Sequence, residues 1–215
     1  MRPQRPAPTA APAASRSDFR PDPGAIAKRA GRYVVRGQLT DVTNGGDHLE
    51  IKLEGTDLDL IPIAPDRFVP EKRSFLGLFR FSLSPIEVEF ADVAGHSVAV
   101  LRGLPAPVPC ERVDPGPIPP AWRARLGTYA PEDLSGERFV IRDLRVEEDA
   151  GILVARVRLS GTTPDDPATE ARVALRPVSD DEAVVVGAGA TVRALSRPTG
   201  DALRYSGFTF VAAAR

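Results

Sequence analysis

The chain has 215 residues and a formal net charge of −1, from 28 basic and 29 acidic side chains. That balance argues against a generic polyanion binder, because neutralising phosphates takes a surplus of basic charge. A single cysteine, Cys110, excludes an internal disulfide, and two histidines, His48 and His96, argue against a multi-Cys or multi-His metal centre. The 22 prolines are about twice ordinary usage and point to a loop-rich globular chain of one or two domains.

Residues 1–22 read as a flexible Pro/Ala-rich tail. They carry no apolar run of signal-peptide length, so no cleaved signal is expected. The compartment stays unassigned, with a soluble, cytoplasmic chain favoured. The longest nearly apolar stretch, Ala183 to Val192, is too short to span a bilayer as a helix. Of the basic residues 25 are arginine and three are lysine (Lys28, Lys52, Lys72). With Ala, Pro and Gly also abundant, this reads as a composition bias, and no arginine cluster marks an anion site.

Two segments 96 residues apart look like openings of the same unit, Pro23 to Tyr33 and Pro119 to Tyr129, identical at five of eleven positions. Proline opens a short helix, where its missing N–H costs nothing. The pairs Ile26/Ala30 and Trp122/Leu126 supply one buried face. Gly31 and Gly127 are expected to close each helix in a left-handed cap, and Tyr33 and Tyr129 to lie at structural corners.

Period-two alternation follows each opening. Strands are expected at His48 to Glu54 (Leu49, Ile51 and Leu53 inward), Asp57 to Ile63, Pro85 to Phe90 and Ser97 to Arg102. In the second half they are expected at Arg138 to Val146, Gly151 to Leu159, Ala171 to Arg176 and Arg204 to Val211. Turn signals separate them at Asn44-Gly45-Gly46, Glu54-Gly55, Ala94-Gly95, Thr162 to Pro167 and Thr199-Gly200. Both halves carry an apolar strand running into proline and an acidic turn, Leu60-Ile61-Pro62 and Leu175-Arg176-Pro177. The expected fold is all-β: two tandem small antiparallel lipocalin-like β-barrels, each opened by a short helix, at 23–104 and 119–215. Residues 105–118 read as a Pro-rich linker that cannot form a central strand. The alternative is one larger barrel made from both halves.

Motifs for chemistry are weak. Gly95-His96-Ser97-Val98-Ala99 resembles a nucleophile elbow, but strand follows the serine and no later histidine exists, so a hairpin turn is expected. No serine stands three residues before a lysine. The acidic groups Glu147-Glu148-Asp149, Asp165-Asp166 and Asp180-Asp181-Glu182 read as solvated turns. His48 and His96 read as exposed turn histidines, Cys110 as an inert linker thiol, and Trp122 as the anchor of its helix. No catalytic, cofactor-binding or metal-binding residue is assigned.

A proline-led helix ending in Gly-x-Tyr, then strands, an L-x-P strand, an acidic turn and Phe/Val resembles the C-terminal accessory regions of bacterial serine hydrolases. These belong to the beta-lactamase-related, penicillin-binding-protein-like family. The segment Pro120 to Tyr129 carries the resemblance most specifically. It implies lipocalin-like barrels downstream of a catalytic domain whose S-x-x-K, Tyr-x-Asn and Lys/His-x-Gly motifs have no counterpart here. The chain then looks like a stand-alone or excised accessory module that packs on a hydrolase domain or self-associates. The competing expectation is an independent binder of a small apolar ligand, with an unrecognised enzyme as a third. Interior volume separates the first two: a core filled by Leu49, Ile51, Leu53, Val154 and Val157 leaves no room for a ligand.

Overall fold

The computed structural model describes residues 19–53, 55–73, 80–83, 85–132, 140–160, 169–188, 190–195 and 201–213. Helix α1 (Pro23–Arg29) leads into β1 (Gly31–Val35), β2 (Gln38–Asn44), β3 (Leu49–Leu53), β4 (Thr56–Ala64) and β5 (Arg67–Arg73). The unit continues through β6 (Arg80–Ser82), β7 (Glu87–Val93), β8 (His96–Arg102) and β9 (Val108–Arg112). Helix α2 (Pro120–Arg123) opens the second unit, followed by β10 (Gly127–Pro131), β11 (Val140–Asp149), β12 (Ile152–Ser160) and β13 (Thr169–Pro177). Its last strands are β14 (Glu182–Val185), β15 (Thr191–Leu195), β16 (Ala202–Tyr205) and β17 (Phe208–Ala212). All pairings are antiparallel.

Each unit closes on itself, so the structure has two barrels and not one larger one. In the first, β4 pairs with β5, β5 with β7 and β9 with β1, making an eight-stranded ring with β6 branching from the end of β5. In the second, β10 to β17 run up and down in order and β17 pairs back to β10, the architecture of small barrels that fill or enclose their interior. Closure removes the exposed sheet edges that an open sheet would present.

The repeated opening behaves as its residues dictate. Proline stands in the first turn of both helices, and the apolar anchors Ile26 and Trp122 are 1% and 0% exposed. The expected left-handed cap is not formed. Gly31 and Gly127 sit at φ 154° and 155° as the first residues of β1 and β10, a region that side chains disfavour. Gly31 also lies against the Arg112 guanidinium, 3.1 Å from where a Cβ would stand.

Two further expectations of the strand layout need correction. Arg204 to Val211 is not one strand but the β16–β17 hairpin, turning at Ser206-Gly207 with both residues at positive φ. That geometry suits a type I′ turn. The segment 105–118 is not all linker, because Val108–Arg112 is strand β9 of the first barrel. Pro109 fits there because it pairs only with Val100 of β8, while the β1 pairing covers Glu111 and Arg112, so no ladder N–H is missed. Beyond it the chain lies on the second barrel: Ile118 joins that barrel's core and the Gly116 N–H donates to the Gly151 carbonyl. The tail to residue 18, the Thr162 to Pro167 loop with Asp165-Asp166, and the Thr199-Gly200 turn lie outside the described residues.

The barrels pack side by side. Val34 and Leu39 of the first meet Ile152, Val154, Ala174 and Val186 of the second in a separate apolar cluster. Asp149 locks the seam: Arg32 donates to its carbonyl oxygen at 2.7 Å and to its carboxylate at 3.0 Å, and Arg172 pairs with the same carboxylate. Gln38 Oε1 accepts from the Arg172 backbone N–H at 3.0 Å. Glu147-Glu148-Asp149 is part of strand β11, not a solvated turn, and Asp149 joins the two barrels through Arg32 and Arg172. Hydrogen bonding from Arg32 and its charge hold the Asp149 carboxyl below the ordinary aspartate range.

Candidate functional site

The two barrels differ inside. In the second, Trp122, Leu144, Leu203 and Phe210 are fully buried and Val157 is 3% exposed within one cluster. The first encloses a cavity of about 180 Å³. Its walls are almost wholly apolar, with Val35, Val42, Ile51, Leu53, Leu60, Val88, Phe90, Leu101 and Cys110 among the lining side chains. Among the described residues Arg36 is the one charged member of that lining. Near α1 the walls are sealed by Tyr33 and Phe90, both buried and in edge-to-face contact at 5.7 Å. Ile51, Leu53, Ile86, Leu101 and Leu104 are partly exposed, so the chamber opens at the end away from the helix.

Strand register explains the difference. Tyr33 pairs with Arg112 in the first barrel and Tyr129 with Ala212 in the second. Two residues back along the last strand, Cys110 therefore takes the place that Phe210 takes in the second barrel. Their neighbours follow the same rule: Ala99 faces Cys110, and Leu203 faces Phe210. A small pair leaves a void where a large pair fills one, since close packing needs the volume to be supplied by side chains. A sealed apolar cavity of about 150 Å³ stays dry and binds benzene; this chamber is of comparable volume.

The sequence-expected core residues split accordingly. Leu49 is fully buried inside the first barrel, and Ile51 and Leu53 line its cavity. Val157 points into the second barrel, but Val154 does not; it faces the seam. Cys110, expected as a linker thiol, is instead 2% exposed in the chamber wall, and burial pushes its pKa up to about 11. A thiol so protonated is a poor nucleophile at neutral pH.

The sealed ends are built alike. Arg29 donates to Asp66 in the β4–β5 turn and to Asp92 at the β7–β8 hairpin, both at 2.9 Å, with its guanidinium 5.9 Å from the Phe90 ring centre. Arg125 pairs with Asp181 at 3.1 Å and Asp201 at 3.8 Å, and lies over Trp122. The Trp122 indole N–H donates to the Ser179 carbonyl at 2.8 Å. Tyr33, Tyr129 and Trp122 are thus structural corners, as expected. Ser97 lies in the β7–β8 hairpin and accepts from Arg29 at 3.1 Å, an arrangement of a turn and not of a nucleophile elbow.

His96 is exposed as expected, but His48 is 9% exposed and not a surface histidine. It stands immediately before β3, with its Nδ1 2.7 Å from Asp47 and its Nε2 3.6 Å from both Glu50 and Asp59. Among the described residues no helix is long and apolar enough to cross a membrane. Comparison of the chain with protein-family models, with curated proteins and with solved structures finds no match.

Proposed function

We infer that the chain is a binding protein that holds a small apolar ligand inside its first barrel, the second barrel serving as its rigid partner. The observation that carries this reading is the apolar chamber of about 180 Å³ in the first barrel, where Ala99 and Cys110 stand at the places that Leu203 and Phe210 take in the similarly built second barrel. Burying a ring-sized molecule there removes apolar surface from water on both sides, at about 25 cal/mol per Å². The size of the chamber selects single-ring or short-chain ligands. Thermal unfolding with benzene, indole and toluene tests it. A ligand that binds only the folded chain raises the melting temperature with its concentration; an unchanged melting temperature with every probe contradicts the reading.

The accessory role implied by the resemblance to serine hydrolases is the second reading. The locked seam through Arg32, Asp149 and Arg172 supports it, because two barrels held as one block suit docking as a unit. Co-purification with a hydrolase domain encoded beside this chain would test that role, and failure to associate would count against it.

A further inference from the structure

We propose that His48, Glu50 and Asp59 form a divalent-metal site of the zinc class on the outer wall of the first barrel. Leu49 and the flanking Leu58 and Leu60 point inward, so the alternation of the strands turns residues 48, 50 and 59 outward together. Glu50 and Asp59 stand directly opposite each other on β3 and β4. One nitrogen and two carboxylate oxygens lie within 4.8 Å of one another. The His48 Nε2 is 3.6 Å from each of the two oxygens. Bonds of about 2.1 Å to a tetrahedral ion place its ligands about 3.4 Å apart, so the two edges from His48 need only a slight contraction, and the edge between the carboxylates starts within 4.8 Å.

The ring is oriented for it. His48 Nδ1 lies 2.7 Å from the Asp47 carboxylate, an acceptor, and a neutral imidazole that donates there presents its Nε2 lone pair to an ion. That Nε2 is buried, has no hydrogen-bond partner and aims between the two carboxylates. At 3.6 Å a proton on Nε2 would not form a hydrogen bond to either oxygen. Gly45 fixes the ring from behind: a Cβ there would stand 2.7 Å from the imidazole.

Asp59 is fully buried, and Glu71, 7% exposed, stands opposite it on β5. Imidazole with carboxylate oxygens suits zinc and its first-row neighbours.

Titration of the full chain with Zn²⁺ by calorimetry, and with Co²⁺ by visible absorption, tests this. The proposal expects one saturable equivalent and a four-coordinate cobalt spectrum. His48→Gln abolishes both. Asp47→Asn keeps the stoichiometry but weakens binding by about ten- to a hundredfold, as loss of an outer-shell carboxylate does. Glu50→Gln, at a partly exposed position, keeps the fold in chelator and weakens binding at least as much, and it decides the matter should His48→Gln fail to fold. Binding by the wild type no tighter than by the Glu50→Gln variant, or none at all, overturns the proposal.

Discussion

Tyr33 Oη donates a hydrogen bond to the Arg29 carbonyl at 3.0 Å, and 96 residues later Tyr129 repeats it to Arg125 at 2.8 Å. The bond ties the end of each helix to the first strand of its barrel. The same arginines reach out to two hairpins of the ring, so one Arg-x-Gly-x-Tyr segment staples helix, strand and hairpins. Replacing either tyrosine by phenylalanine removes the donor and leaves the ring in place. Each change is expected to cost about 1 kcal/mol in chemical denaturation. An unchanged midpoint for both variants would show that the corner bonds carry no stability.

Trp122 makes a larger contribution. It is fully buried under the second barrel and its N–H is satisfied by Ser179. Trp122→Ala is expected to destabilise the second barrel by about 3–5 kcal/mol, the range for large aromatic truncations. Denaturant unfolding followed by a probe in each barrel checks it. Loss below 1 kcal/mol would contradict the anchoring role.

The Cys110/Phe210 exchange predicts opposite outcomes in the two barrels. Cys110→Phe fills the chamber and is expected to remove ligand-dependent stabilisation while the chain stays folded. Phe210→Cys opens a hole in the packed barrel and is expected to cost about 3 kcal/mol or more. Equal destabilisation by both changes would mean that the first barrel has no spare volume at that position.

The Cys110 thiol should also report on the chamber. With burial raising its pKa to about 11, alkylation of the native chain at neutral pH is expected to be far slower than that of the denatured chain. Filling the chamber with ligand should slow it further. Native and denatured rates that agree would place Cys110 at the surface.

The seam between the barrels is expected to weaken in acid. Arg32 holds the Asp149 carboxyl below its ordinary value. A depressed carboxyl contributes stability that is complete above the unfolded pKa of about 3.9 and is lost as pH falls through the lower folded value. The stability difference between wild type and Asp149→Asn should therefore be constant from neutral pH to about pH 5 and shrink below about pH 4. A difference that grows on acidification would reverse the sign and contradict the assignment. Gly187→Ala probes the same seam sterically, since at φ 73° its new Cβ would stand 2.8 Å from Val34 across the interface.

The repeated opening made the tandem barrels legible, because proline, apolar anchor, glycine and tyrosine each have a local reason to recur. The chamber was not legible. Its deciding residue, Cys110, sits among prolines that disguise strand β9, and only the ring closure shows that it matches Phe210. Val154 and Val157 are three apart and so face opposite sides of a strand; the run Ile152 to Ala155 is apolar on both faces because one face meets the other barrel. His48 reads as exposed because it follows the Asn44-Gly45-Gly46 turn; its buried neighbour Asp59 reaches it through the register of the β3–β4 hairpin, Glu50 opposite Asp59, which strand alternation alone does not set.

The central claim is that the first barrel is a ligand chamber and the second is not. Methyl-resolved NMR of the full chain during titration with a single-ring apolar ligand tests it most directly. Saturable shifts are expected at Ile51, Leu53, Leu60 and Val88, none at Val157 or Leu203, and loss of all of them in Cys110→Phe. Shifts spread over both barrels, or unchanged by Cys110→Phe, would contradict it.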